Sequence, residues 1–242
     1  MITPFNKKGE VDYGAVVKVV DHIISGGIDY IVVMGTTAET STLFEEERSK
    51  VVSLIVETTN NRVPLVLGIG GNNTALVVSK IKLADLSSFK AILSVCPYYT
   101  KPSQEGIYQH YKNIANASSI PLILYNVPSR SGVSIENETT VRLANDFSNI
   151  IGTKDASGDL ESILELLGTV PDGFHVISGD DLLALPIVLA GGSGVISVIG
   201  GGLPTQVSQM IHLGLEDKID QASEYHNQML EMIDLYNLNL YF

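Results

Sequence analysis

The chain has 242 residues, which suits one barrel of about 250 residues and is too short for two large domains. Hydrophobic residues make up 45% of it, enough for one large core, and its formal net charge of −12 without a basic run argues against nucleic acid or anionic membranes as partners. The only cysteine, Cys96, excludes an internal disulfide and suits a reducing cytosol.

The start of the chain predicts the tail of a strand. Residues 1–4 read Met-Ile-Thr-Pro, and we expect a first strand whose beginning is missing. No apolar stretch of the kind found in signal peptides follows, which again favours the cytoplasm.

Seven short runs rich in β-branched residues predict buried parallel strands. They are continuously apolar and do not alternate, as is typical of parallel strands that are covered on both faces. The predicted strands are residues 30–34, 64–68, 91–95, 121–125, 150–154, 175–178 and 194–198.

Amphipathic stretches between these runs predict helices. In two of them the apolar positions share one helical face: Val16, Val19, Val20 and Ile23, then Val51, Val52, Ile55 and Val56. The alternation predicts an α/β fold with a parallel sheet, a (β/α)8 TIM barrel that lacks most of strand 1 and most of a C-terminal helical segment. We expect the barrel over residues 1–214 and the start of that segment over residues 215–242.

The uncharged stretch of residues 182–203 is long enough to suggest a membrane span. Its density of helix breakers favours helix, turn, strand and turn within a globular fold instead. These breakers are Pro186, Gly191, Gly192, Gly194, Gly200, Gly201 and Gly202. Near the end of the chain, residues 219–235 predict a helix, and residues 237–242 stop without a cap.

Catalytic groups of barrels lie at the carboxyl ends of the strands, so the residues after each strand deserve inspection. Thr36 and Thr37 follow the first complete strand, where hydroxyls and backbone N–H groups could hold a carboxylate, although an ordinary Gly-Thr turn fits this stretch alone better. Tyr98 and Tyr99 follow the strand of residues 91–95, and they predict either packing or proton relay. Arg130 follows the next strand in a loop rich in proline and glycine, which suits either bidentate carboxylate binding or solvent exposure.

Lys154 is the most informative single residue. It ends an apolar strand that should line the barrel interior, although lysine is among the residues least often buried. Burial would lower its pKa and free the amine to attack a carbonyl. A lysine that only leaves the strand for solvent, or one paired with Asp155, remains an alternative.

Together, these strand-end segments resemble the N-acetylneuraminate lyase family of pyruvate-dependent class I aldolases, above all its dihydrodipicolinate synthase branch. The similarity runs over about residues 2–235. Its segments are GTTAE at 35–39, PYYTKPSQEG at 97–106, YNVPSRSG at 125–132, GTKDASGD at 152–159, SGDD at 178–181 and GVISV at 194–198. Ala38 departs from the glycine usual in the first of them, and would be strained if its φ were positive.

The resemblance implies a reaction and a catalytic role for each of four residues. Pyruvate would condense with L-aspartate 4-semialdehyde to 4-hydroxy-tetrahydrodipicolinate in lysine and diaminopimelate biosynthesis. Lys154 would form an imine with pyruvate, and Tyr125 would transfer protons. Thr36 would link Tyr125 to Tyr99, which would reach into the site of a neighbouring subunit. No other cofactor and no metal are implied, and we expect a homodimer or homotetramer.

The resemblance also implies binding residues. Backbone N–H groups at Thr36 and Thr37 would hold the carboxylate of pyruvate, Arg130 would bind that of the second substrate, and Ile196 would line the site with its backbone. Tyr98 and Asn72 match two positions of the lysine effector site of feedback-inhibited relatives, whereas Leu76 stands where those relatives have a glutamate.

Two other functions remain open on the sequence. Another pyruvate-dependent aldolase, such as a sialic-acid or sugar-acid lyase, would share the imine chemistry but would usually lack Arg130 in this loop. A non-catalytic ligand-binding relative, or an inert fragment, would not form the imine at all. Lys154, Tyr125, Thr36 and Tyr99 argue for an enzyme that condenses pyruvate with the semialdehyde.

Overall fold

The structure is a computed structural model, which describes the backbone of residues 1–236 and the side chains of residues 1–230. Residues 237–242, where the sequence predicts an uncapped end, lie outside this part. Within it, strands and helices alternate along the chain, as predicted.

Six parallel strands form one sheet, a half-barrel in which each strand pairs with the next along the chain. Each agrees within one residue at either end with a predicted strand, because continuous apolar runs between turn residues mark buried strands clearly. The strands are β1 (Ile31–Val33), β2 (Leu65–Gly68), β3 (Ala91–Val95), β4 (Leu122–Asn126), β5 (Ile150–Asp155) and β6 (His175–Ser178).

Helices connect the strands and cover the outer face of the sheet. Several start at a side chain that accepts a backbone N–H of the first turn, as Asp12, Asn73, Ser103 and Asp159 do. The helices are α1 (Tyr13–Ser25), α2 (Glu45–Thr59), α3 (Thr74–Leu83), α4 (Gln104–Ala117), α5 (Pro128–Ser131), α6 (Asn137–Asp146), α7 (Leu160–Leu167), α8 (Ala184–Leu189), α9 (Pro204–Leu215) and α10 (Ile219–Tyr236).

Apolar side chains fill both sides of the sheet. A large cluster packs the outer face of the sheet against the helices. A smaller cluster lines the inner face: Val32, Val66, Leu93, Ile123, Tyr125 and Ile177. Directly paired residues of neighbouring parallel strands point to the same side, so Lys154, paired with Tyr125 and Ile177, belongs to the inner face.

The predicted seventh strand at residues 194–198 was wrong in extent. Only Val195 forms a parallel bridge, with Ser178, and the Ile196 N–H donates to the Ser178 carbonyl. Beyond this point the N–H groups of Val198 and Ile199 donate to the Asp181 carboxylate, and the chain coils into a short 3-10 helix at Ile199–Gly201. A side chain has therefore replaced the neighbouring strand as the hydrogen-bond acceptor.

A strand tail at residues 1–4 is not confirmed. Pro4 has no N–H for a strand ladder, and the chain turns back at once, so that Phe5 forms an antiparallel bridge with Val11. The Met1 ammonium donates to the Val32 carbonyl at 3.2 Å, on the edge of β1 that faces away from β2.

The stretch of residues 182–203 folds as its helix breakers predict, into helix, turn, bridge and 3-10 helix. Nowhere in residues 1–236 does a helix combine the length and apolar character needed to cross a membrane.

Candidate active site

Lys154 lies at the carboxyl end of β5, on the inner face of the sheet. Its side chain is buried, with 7% of the residue exposed. The pKa of the ammonium is lowered to about 8, mainly by burial; the negative charge of Asp181 opposes this effect, and the positive charge of Arg130 adds to it. A larger fraction of Lys154 is therefore neutral, and nucleophilic, near pH 8 than for a lysine in water.

Tyr125 stands beside this amine. It is buried on β4, in register with Lys154, and the lysine Nζ lies 4.5 Å from the centre of the tyrosine ring. A phenol is both a donor and an acceptor of hydrogen bonds. At this position it can exchange a proton with a molecule attached to Lys154.

Gly179 leaves the space through which the Lys154 side chain passes. A Cβ atom added at this glycine would lie 2.8 Å from Lys154 Cε, 2.6 Å from Ala156 Cβ and 2.9 Å from the Asp155 carbonyl oxygen. Real Cβ atoms do not approach neighbours this closely. The position of the amine thus depends on the absence of a side chain one residue after β6.

A cavity of about 370 Å³ opens above Lys154 and Tyr125. Several predicted site residues line it together with this pair, namely Thr36, Thr37 and Ile196. The cavity continues between β1 and residues 193–198 towards Asp29 and His212, which hydrogen-bond to each other at 3.0 Å. The part of the cavity next to Lys154 can hold a small keto acid, and Thr36, Thr37 and Tyr125 provide polar groups there.

Thr36 and Thr37 form a 3-10 helix, Thr36–Ala38, directly after β1. Short helices of this kind leave backbone N–H groups free to bind a carboxylate. The residues with a positive φ in this loop are Met34, at 57°, and Glu39, at 53°, and not Ala38, so the alanine that replaces the usual glycine carries no strain of this type.

Arg130 lies on the exposed short helix α5, close enough to Lys154 to affect its pKa. Ile196 is buried, with 8% exposed, and its N–H is anchored on the Ser178 carbonyl. Arg130 follows β4 and Ile196 is anchored on β6, and these two strands flank β5, so the two residues stand on different sides of Lys154. A guanidinium group that can bind a carboxylate therefore lies towards one side of the amine, and the backbone of Ile196 lies towards the other.

Tyr99 is not part of the cavity lining. Its side chain is 87% exposed, its φ is +73°, and its N–H donates to the Ser131 carbonyl. Tyr98 is 42% exposed, and the Asn72 amide donates to its carbonyl at 3.2 Å. The two predicted effector residues thus meet at the surface, with Leu76, 52% exposed, on the helix that begins beside Asn72.

A buried polar network joins the ends of β4 and β5. Asn126 donates to the Asp155 carboxylate at 2.8 Å and accepts the Ile135 N–H at 3.0 Å, and Asp155 also accepts from Ser157. Since Asn126 and Asp155 directly follow Tyr125 and Lys154, this network holds the two reactive side chains at a fixed separation.

Ser197 lines the cavity and donates a hydrogen bond to Asp181, but the sequence singled out neither residue. Their segments, SGDD and GVISV, contribute to the resemblance, whereas a hydrogen bond between side chains 16 positions apart leaves no sign in the sequence. Among the side chains of residues 1–230, no group of three or more His, Cys, Asp or Glu is arranged to hold a metal ion.

Known proteins are similar to this chain in both sequence and fold. A family described as the Dihydrodipicolinate synthetase family matches residues 1–242. The 4-hydroxy-tetrahydrodipicolinate synthase of Flavobacterium psychrophilum is 53% identical over 97% of this chain and 80% of its own length.

Two solved structures are similar over 99% of this chain and 82% of their own. The chloride-inhibited dihydrodipicolinate synthase of Acinetobacter baumannii in complex with pyruvate has a TM-score of 0.95 and 39% identity. The enzyme of Cyanidioschyzon merolae with lysine bound has a TM-score of 0.93 and 32% identity.

Proposed function

The chain belongs to the dihydrodipicolinate synthetase family, and we propose that it condenses pyruvate with L-aspartate 4-semialdehyde in lysine and diaminopimelate biosynthesis. The product would be 4-hydroxy-tetrahydrodipicolinate, and the enzyme a lyase of the class I aldolase type. The observation that carries the proposal is the buried Lys154, with a pKa of about 8, beside Tyr125 in a cavity that suits a keto acid.

The first half of the reaction is imine formation. The neutral Lys154 amine attacks the ketone carbon of pyruvate, and water leaves to give a cationic imine. Thr36 and Thr37 hold the carboxylate through backbone N–H groups, and Tyr125 moves the protons that the addition and the loss of water require. No metal and no further cofactor take part.

The second half forms the carbon–carbon bond. The imine acidifies the methyl group of pyruvate, which loses a proton to give an enamine, and this carbon attacks the aldehyde of the second substrate. Arg130 binds the carboxylate of that substrate, and the backbone at Ile196 lines the site. The amino group of the adduct then attacks the imine carbon, which closes the ring and releases Lys154.

The test of substrate choice uses Arg130. Arg130→Ala should still form the pyruvate imine, but its kcat/KM for aspartate semialdehyde should fall, which corresponds to a loss of roughly several kcal/mol at most in transition-state stabilisation. Arg130→Lys keeps the charge but cannot form bidentate hydrogen bonds with a carboxylate, so it should retain only part of the activity. Steady-state kinetics with the semialdehyde and with a sialic acid or sugar acid decide the assignment. Cleavage of the latter without use of the semialdehyde would assign the chain to the lyases.

We further propose that the half-barrel is part of a (β/α)8 barrel over residues 1–214, followed by a C-terminal helical segment that begins with α10. Two features support this. The cavity runs between the outer edge of β1 and residues 193–198, so the sheet is open where a further strand would close the barrel. Both flanks of this gap also present apolar side chains, among them Ile31 and Val195.

The assembly proposed here is a homodimer or homotetramer in the cytoplasm. The exposed Tyr99 supports it, because this tyrosine does not line the cavity of its own chain, and the resemblance places it in the site of a neighbouring subunit. Inactive Tyr99→Phe and Lys154→Ala subunits should regain activity when they are mixed, since one hybrid site is whole. No recovery despite subunit exchange would contradict a shared site.

A further inference from the structure

One half-buried carboxylate organises the wall of the cavity opposite β4. Asp181 accepts hydrogen bonds from the Ser197 hydroxyl, from the Val198 N–H at 3.0 Å and from the Ile199 N–H at 3.1 Å. The Ser197 hydroxyl oxygen in turn accepts the Gly200 N–H at 2.7 Å. Residues 197–200 are therefore folded around one side chain that lies 16 or more positions earlier in the chain.

This wall continues directly into the reaction site. Ile196, Ser197 and Val198 all line the cavity that holds Lys154. The Ile196 N–H is fixed on the Ser178 carbonyl, and the next three residues are fixed on Asp181. Without the carboxylate, two backbone N–H groups and a hydroxyl would lose their acceptor, and the wall would lose its shape.

The same carboxylate interacts electrostatically with the reactive amine. Lys154 passes over Gly179, two residues before Asp181, and the negative charge of Asp181 raises the pKa of Lys154 against the effect of burial. The pKa of Asp181 itself is raised above its ordinary value, because burial outweighs the opposing effects of its three donors and of Lys154. All three donors favour the ionised carboxylate, which has only acceptor positions.

The other charged group that acts on Lys154 is Arg130, whose positive charge lowers the pKa of the lysine. The nearby Met1 amine has its own pKa lowered to about 6, so it is mostly neutral where Lys154 titrates. The remaining titratable neighbour is the Tyr125 phenol, against whose ring Nζ lies. Within the described residues, Asp181 is the one carboxylate that opposes this positive charge at Lys154.

We propose that Asp181 is a positioning residue, which holds residues 196–200 as a wall of the pyruvate site and provides the negative charge that stabilises the cationic imine on Lys154. This inference rests on the proposed function, since it requires that the imine forms. The imine keeps the positive charge of the ammonium near the position of Nζ. A fixed, desolvated carboxylate therefore stabilises it more than the neutral ketone and amine that precede it.

The test is the pH dependence of borohydride-trapped pyruvate imine in the full chain. Asp181→Asn keeps the size of the side chain and removes its charge. The midpoint of imine formation should move to lower pH by about one unit, because the amine loses an opposite charge. Half-maximal trapping should also need several-fold more pyruvate, because the iminium loses its partner. Asp180→Asn is the matched control, because the Asp180 carboxylate accepts hydrogen bonds from the Leu182 and Leu183 N–H groups of its own turn and not from the cavity wall.

A second variant separates the charge from the fold. Ser197→Ala removes two hydrogen bonds of the wall, the one donated to Asp181 and the one accepted from the Gly200 N–H, and leaves the charge of Asp181. It should therefore weaken pyruvate binding and leave the pH midpoint unchanged. A purely structural Asp181 would give Asp181→Asn the profile of Ser197→Ala, which would overturn the electrostatic part of the proposal. Unaltered trapping in Asp181→Asn would overturn all of it. If the wild-type protein traps no pyruvate, the proposed function itself fails, which is a different result.

Discussion

At the scale of the residue, Lys154 combines two requirements that oppose each other. Catalysis needs a partly neutral amine at the end of a buried strand, whereas folding disfavours an ammonium group that has left water. The resulting pKa of about 8 lies well below the ordinary lysine value of 10.5. A reactive lysine of this kind should therefore destabilise the fold that holds it.

This cost can be measured with Lys154→Met, which keeps most of the aliphatic side chain. Below pH 8 the lysine is protonated in both the folded and the unfolded chain, so the wild type bears the full penalty. From pH 8 to 10.5 the unfolded chain binds more protons than the folded one, and the stability of the wild type rises. At pH 7 the variant should be more stable by up to about 3 kcal/mol.

Urea denaturation of both proteins from pH 7 to 10.5 gives the comparison. The advantage of Lys154→Met should shrink as the pH rises through this range. An advantage that is independent of pH would show that the lysine is not desolvated. Lys90→Met, at an exposed position, should show no such trend.

The role of a single residue could be predicted from the sequence where a charged side chain occupies a position that its neighbours mark as buried. Lys154 could be recognised because a lysine ends an apolar run. Asp181 could not, because its hydrogen-bond partners are 16 to 18 positions away and an acid in a turn is usually solvated. The positive φ on Glu39 was also beyond the sequence, since the type of turn depends on how the loop packs.

At the scale of the element, the ends of β5 and β6 must approach closely for the site to form. Gly179→Ala tests this, because its methyl group would lie 2.8 Å from Lys154 Cε and 2.9 Å from the Asp155 carbonyl. Overpacking of this type costs roughly 1–3 kcal/mol of stability. Displacement of the amine should also slow imine formation by at least about ten-fold.

Rates of pyruvate trapping and thermal unfolding check both effects. Gly14→Ala is the control, since this glycine lies in α1 with only Asp12 near its added methyl, at 3.4 Å. A Gly179→Ala protein with wild-type trapping would show that Lys154 reaches the cavity by another path.

The sequence predicted six of the seven expected strands correctly and one incorrectly. The six strands were predicted within one residue because each is a continuous apolar run that is buried on both faces. The stretch at residues 194–198 has the same composition, but Asp181 captures its N–H groups, and only one bridge forms. Apolar pattern alone cannot reveal such competition by a side chain.

At the scale of the whole molecule, the surface around Tyr98 bears on regulation. We propose an effector site at Tyr98 and Asn72 in which Leu76 has replaced an acidic partner, and we predict weak or absent inhibition by lysine. Leucine cannot accept a hydrogen bond from the α-ammonium of lysine, and an unpaired buried polar group costs roughly 1–3 kcal/mol.

A lysine titration at saturating pyruvate checks this, and Leu76→Glu sharpens it. The wild type should keep its activity, whereas Leu76→Glu should become sensitive to lysine. Leu83→Glu is a suitable control, since Leu83 is an exposed leucine at the other end of the same helix. Strong inhibition of the wild type at micromolar lysine would mean that other residues form the site.

The central claim for the whole molecule is that this chain forms a covalent imine with pyruvate at Lys154. The most direct measurement is the intact mass after incubation with pyruvate and borohydride, followed by peptide mapping. We predict one reduced pyruvate adduct per chain, located on Lys154 and lost in Lys154→Arg, which keeps the charge but not the nucleophile. An adduct on a different lysine, or one that persists in Lys154→Arg, would contradict the account.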